Sequence, residues 1–89
     1  MKRAVILNIT GKVQNVGFRH HTVKQAENYG IKGFVKNKSD GSVYVEAEGG
    51  EENLDQFINW CRQGPTWARV DHVHVQDSQP QDYTGFNVR

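Results

Sequence analysis

The residues best placed to do chemistry lie in one short stretch. Gly11-Lys12-Val13-Gln14-Asn15-Val16-Gly17 carries two glycines and an asparagine, and it runs straight into a helical pattern opening at Phe18-Arg19. A helix start leaves several backbone N–H groups unpaired, and its dipole makes that end positive. A tight loop just before it turns further N–H groups inward, which makes a seat for an anion. Arg19 in the first helical turn opposes the dipole at about 0.3–1 kcal/mol, and an anion held between loop and guanidinium removes that conflict. The same arginine serves equally well pointing to solvent or pairing with a carboxylate. Asn37 is the second candidate, at the close of a strand pattern. Its carboxamide both donates and accepts, as orienting a water requires. It also suits the start of the turn Lys38-Ser39-Asp40-Gly41.

Other reactive side chains are less well placed. His20 and His21 are adjacent, so they point to different sides of a helix and do not readily share a metal. His72 and His74 share one strand face, but their pattern offers no third Cys, Asp or Glu ligand. Cys61 falls on an apolar helical stripe, where a thiol packs rather than reacts. Trp60 and Trp67 read as packing near a helix end or covering a core edge. Lys12 and Lys36 either strengthen the positive field around the loop or are ordinary solvated lysines.

The chain that must position these groups has 89 residues, enough for one compact domain, 1–89. Its 11 Lys+Arg against 10 Asp+Glu leave a formal charge of +1, which argues against a polycationic nucleic-acid or membrane-surface binder. The longest apolar run near the start is Ala4 to Leu7, too short for a signal peptide or a membrane span. A single cysteine excludes an internal disulfide framework and any Cys-x-x-Cys motif, which points to a reducing, cytoplasmic setting.

Period-two alternation predicts strands over residues 3–10, 31–37, 42–48 and 69–76, and Phe86 with Val88 form a short last strand. Residues 11–17 read as the loop. In the third strand Val43, Val45 and Ala47 face inward while Tyr44, Glu46 and Glu48 face water, and Gly49-Gly50 ends it. Helices are predicted over residues 18–29, with Phe18, Thr22, Ala26 and Tyr29 on one face, and over 51–62, with Leu54, Phe57, Ile58 and Cys61. Gly30 and Gly64-Pro65 stop them, and residues 79–84 read as polar loop. Two helices that each follow a strand bury their stripes by packing on one face of an antiparallel sheet. The expected architecture is therefore a ferredoxin-like α+β sandwich, βαββαβ with a short extra C-terminal strand. In it the first two strands run parallel, split by the third, so the loop and Asn37 share one sheet edge about 9–10 Å apart.

Two long motifs then carry a family resemblance. Gly11-Lys12-Val13-Gln14-Asn15-Val16-Gly17-Phe18-Arg19 resembles the acylphosphatase signature Gly-x-Val-Gln-Gly-Val-x-Phe-Arg. Gly33-Phe34-Val35-Lys36-Asn37-Lys38-Ser39-Asp40-Gly41-Ser42-Val43 resembles its second signature. Glu48-Gly49, Gly64-Pro65, Ala68, Val70, Val73 and Phe86 are similar too, so the likeness covers nearly the whole chain. The resemblance implies a cofactor-free, metal-free hydrolase that cleaves the carboxyl–phosphate bond of small acyl phosphates to a carboxylate and inorganic phosphate. It implies phosphate binding by Gln14, Asn15, Val16, Gly17, Phe18 and Arg19, with Arg19 and Asn37 catalytic and Asn37 positioning the attacking water. So sparse a site suits the chemistry, because phosphoryl transfer asks mainly for charge stabilisation and in-line positioning. A carboxylate leaves without a proton, and preorganised donors typically contribute about 2.7–4 kcal/mol each.

Asn15 stands where the signature has glycine. Asparagine is the non-glycine residue best suited to left-handed backbone, but its side chain also has the bulk to crowd an anion. A non-catalytic or weakly active acyl-phosphate-binding module is therefore the alternative. RNA binding, which the element order also allows, lacks a stacking platform: Ile6, Asn8, Tyr44 and Glu46 offer one aromatic. The expected partner is a small acyl phosphate alone, with no nucleic acid and no membrane. A free-standing monomeric enzyme is the form expected of a chain of this length that opens with Met.

Overall fold

The computed structural model describes residues 2–89. In chain order the elements are β1 (Lys2–Lys12), α1 (Phe18–Tyr29), β2 (Lys32–Asn37), β3 (Val43–Gly50), α2 (Glu51–Gln63), β4 (Arg69–Ser78) and β5 (Phe86–Val88). They form one five-stranded sheet in the order β4-β1-β3-β2-β5. β1 pairs antiparallel with β3 and β4, and β3 pairs antiparallel with β2. β1 and β2 are thus parallel, with β3 between them, as expected from the sequence. β5 adds to β2 in parallel, so the ferredoxin-like sheet is mixed rather than antiparallel throughout.

The core lies between this sheet and the two helices. Val5, Leu7 and Ile9 of β1 and Val43, Val45 and Ala47 of β3 meet Phe18 and Ala26 of α1 and Leu54, Phe57, Ile58 and Cys61 of α2. Burying a side chain of this size contributes about 1.5–3 kcal/mol. Thr22 reaches the same core because its hydroxyl donates to the Phe18 carbonyl at 2.7 Å. Tyr29, the last residue of that stripe, is half-buried. α1 ends at Gly30 in left-handed backbone, with the N–H groups of Gly30 and Ile31 returning to Glu27 and Ala26.

Several boundaries differ from the sequence reading for identifiable reasons. Gly11 and Lys12 belong to β1 rather than to the loop, because a bulge between Thr10 and Gly11 lets both pair with β4. Gly11 has φ 124°, and a Cβ there would run into the Arg69 carbonyl, so only glycine fits the bulge. Gly49 and Gly50 continue β3 by pairing with Arg3 and Lys2. Trp67 covers no core edge; it is 78% exposed.

Glu48 is the largest correction. It faces away from the helices, yet it is 1% exposed rather than wet. The segment after β4 crosses that face: the Gln81 N–H donates to Glu48 Oε1 at 2.7 Å, and Lys2 Nζ lies 2.9 Å from Oε2. Nearby, Tyr44 and Tyr83 both donate to Glu46, at 2.6 and 2.7 Å. Phe34 lies beneath them with the Arg89 guanidinium 4.1 Å above its ring. Burial alone pushes the Glu48 carboxyl up, but Lys2 and the N–H groups of Gln81 and Asp82 outweigh it and hold it below its ordinary 4.5. A lowered native value contributes stability above 4.5 that is lost as pH falls through it. Glu48→Gln is expected to lower stability at pH 7 by about 1–3 kcal/mol. It should also flatten the loss of stability in acid, which denaturant unfolding at a series of pH values checks.

Candidate functional site

The loop between β1 and α1 is held by its side chains, leaving its backbone to form a cup. Val13 is buried and Val16 packs against the core. Gln14 Nε2 donates to the carbonyls of Lys38 at 2.7 Å and Ser42 at 2.9 Å, tying the loop to the β2–β3 turn. That turn is fixed in its own right. The Asp40 carboxylate accepts from the Ser42 hydroxyl at 2.6 Å and its N–H at 3.0 Å, and these bonds hold the Asp40 carboxyl below its ordinary value. The Gln14 side chain is thereby committed to structure, which leaves its backbone amide for a ligand.

Asn15 and Gly17 both adopt left-handed backbone, at φ 61° and 76°. Left-handed residues alternating with ordinary ones turn successive N–H groups toward one point. Asn15 therefore takes the conformation that glycine supplies in the signature. Gly17 is the N-cap of α1 and makes no side-chain cap. The first turn closes from the His21 N–H to the Gly17 carbonyl at 3.1 Å, so the amides of Phe18, Arg19 and His20 lie before any intrahelical partner. The two helices differ here. α2 opens with its own carboxylates, Glu51 and Glu52, whereas α1 has no acidic residue in its first turn and carries Arg19 instead. Among the described residues Arg19 pairs with no carboxylate.

This positive helix end opens into a cavity of about 310 Å³ lined by Val13, Gln14, Asn15, Gly17, Phe18, Arg19, His20, Asn37 and Val88. Of the residues singled out from the sequence, Gln14, Asn15, Gly17, Phe18, Arg19 and Asn37 come together there, while Val16 contributes no lining surface. Asn37 pairs with Val43 at the end of β2, which places its side chain on the helix side of the sheet. Its Oδ1 is buried and has no hydrogen-bond partner among the described residues. An unmatched buried acceptor is costly, by about 1–3 kcal/mol. Lys12 and Lys36 do not line the cavity; Lys36 instead lies 5.0 Å from the Tyr44 ring on the opposite face.

Sequence reading missed three lining residues, Val13, His20 and Val88. The sequence offers His20 only as half of an adjacent histidine pair that does not readily share a metal. Val88 lines the cavity because β5 is seated beside β2, with Gly33 N–H donating to Gly85 O and Arg89 N–H to Val35 O, both at 2.9 Å. The only signal for it was the apolar pair Phe86 and Val88 at strand spacing.

A family model described as Acylphosphatase matches residues 5–88. An acylphosphatase of Lactiplantibacillus plantarum is 45% identical, over 97% of this chain and 97% of its own. The solved structure of an acylphosphatase from Coxiella burnetii superposes with a TM-score of 0.95 at 34% identity, covering 99% of this chain and 93% of that one. The acylphosphatase structure from Bacillus subtilis gives 0.93 at 31% identity, covering 100% and 99%.

Proposed function

This chain belongs to the acylphosphatase family, and from that premise we propose that it hydrolyses small acyl phosphates at the cavity between α1 and Asn37. The phosphoryl group is held by the amides from Gln14 to Arg19 and by the Arg19 guanidinium. Asn37 holds a water by a hydrogen bond to its carboxamide and aims the water's oxygen at phosphorus. Attack in line forms the new P–O bond as the bond from phosphorus to the acyl oxygen breaks. The electron pair leaves on the carboxylate, which is stable unprotonated at pH 7. The proton released by the water passes to a phosphoryl oxygen of the substrate itself, so the products are a carboxylate and dihydrogen phosphate. No general acid and no metal is needed for a leaving group this good.

The observation that carries this reading is the convergence on one cavity of an uncapped helix start, an arginine that pairs with no carboxylate among the described residues, and the Asn37 carboxamide. A binding role without turnover draws no support from Asn15, whose backbone is already left-handed. Residues 1–89 act in this reading as one monomeric, cytoplasmic domain. A lone buried cysteine suits a reducing compartment, and no helix among the described residues is long and apolar enough to cross a membrane. The test is steady-state hydrolysis of acetyl phosphate with and without a chelator. Equal turnover in both supports the proposal, and no turnover, or turnover only with added metal, overturns it.

A further inference from the structure

A second depression opens on the same sheet edge. α2 ends at Gly64, and Pro65, Thr66 and Trp67 lead into β4; with His21 and Trp60 they enclose a cavity of about 320 Å³. Trp60 is half-buried, its ring centroid 5.6 Å from that of Phe18. Trp67 is 78% exposed, the most exposed large apolar side chain among the described residues. It is held out by a closed turn, in which the Ala68 N–H donates to the Pro65 carbonyl at 3.0 Å.

The strand order gives this cleft a direction. β1, whose end carries the phosphate loop, has β4 and Trp67 on one side, and β3 and then β2 with Asn37 on the other. In-line displacement sends the leaving group away from the attacking water, so a water held by Asn37 expels the carboxylate toward the β4 flank. Little separates the two cavities. Gly17 lines one and His21 the other, and His21 Cδ2 lies 3.6 Å from where a Cβ on Gly17 would be. No carboxylate lines the cleft to repel a departing anion.

We propose that the cleft of Trp67, Pro65 and His21 is the acyl subsite, and that it favours acyl phosphates whose acyl group is flat and apolar, of the aroyl class. This rests on the reading of Arg19 and Asn37 given above. A planar ring stacks on the indole face, and a flat acyl group loses little conformational freedom there. A small acyl group such as acetyl reaches neither Trp67 nor Pro65.

The test compares kcat/KM for benzoyl phosphate and acetyl phosphate in the wild type, Trp67→Ala and Trp67→Phe. Trp67→Ala is expected to lower the benzoyl-to-acetyl ratio about tenfold, with acetyl phosphate turnover and inhibition by inorganic phosphate unchanged. Trp67→Phe should restore most of the ratio. An unchanged ratio in Trp67→Ala while acetyl phosphate is still hydrolysed overturns the subsite and leaves the proposed function standing. Failure of the wild type to hydrolyse either compound overturns both. A shift in sedimentation from dimer to monomer in Trp67→Ala, with the ratio unchanged, assigns the cleft to contact between copies and overturns the subsite.

Discussion

Arg19→Ala is expected to lower kcat/KM for acetyl phosphate by about a thousandfold or more, the scale of an arginine that neutralises charge on a transferring phosphoryl group. Part of the loss is ground-state affinity. A charge-assisted hydrogen bond contributes about 1.5–3 kcal/mol, so inhibition by inorganic phosphate should weaken about ten- to hundredfold. The variant should fold normally. Arg19 is exposed, pairs with no carboxylate among the described residues, and opposes the dipole of α1. Its removal should leave stability unchanged or raise it by about 0.3–1 kcal/mol. A destabilised variant would give Arg19 a structural role that explains the lost activity without any contact to substrate. Arg19→Lys separates charge from geometry: it keeps the cation but loses the planar fork that matches a phosphate edge. It should recover phosphate affinity more fully than turnover.

Asn37→Ala is expected to split the two parameters differently. Turnover should fall by about a hundred- to thousandfold, the usual loss when one preorganised polar group is removed from a transition state. Inorganic phosphate should inhibit it about as well as the wild type, because the amides and the guanidinium that hold the anion are untouched. The contrast is built into the fold. Arg19 and the loop sit at the start of α1, whereas Asn37 comes from the end of β2, two strands from β1. Steady-state kinetics with phosphate as a competitive inhibitor reads both effects. Equal losses of turnover and phosphate affinity in Asn37→Ala would assign Asn37 to the anion rather than to the water.

The parts of this architecture legible in the sequence were those governed by local rules. Period-two alternation placed Val43, Val45 and Ala47 inward, and a 3.6-residue stripe placed Leu54, Phe57, Ile58 and Cys61 in the core, where all seven are found. The convergence of the two motifs was legible because both lie where β1 and β2 end, and parallel strands bring those ends to one edge. What stayed hidden depends on contacts between distant segments. Glu48 follows the outward pattern of its strand, and only the segment near Gln81 crossing that face buries it. The family resemblance implies phosphate binding by Gln14, yet the carbonyls that engage its side chain lie 24 and 28 residues away. Val88 enters the cavity through parallel pairing of three residues with β2, which no local pattern announces. Trp67 reads as packing near a helix end or covering a core edge, and its exposure follows from the turn that precedes β4.

The division of labour between the loop, Arg19 and Asn37 is tested most directly by following backbone amide resonances while inorganic phosphate is titrated into three proteins. In the wild type and in Asn37→Ala the largest shifts should fall on Asn15, Val16, Gly17, Phe18 and Arg19, with similar midpoints. In Arg19→Ala the same amides should respond only at much higher phosphate. Shifts centred on the start of α2, or an Arg19→Ala titration indistinguishable from the wild type, would contradict the account.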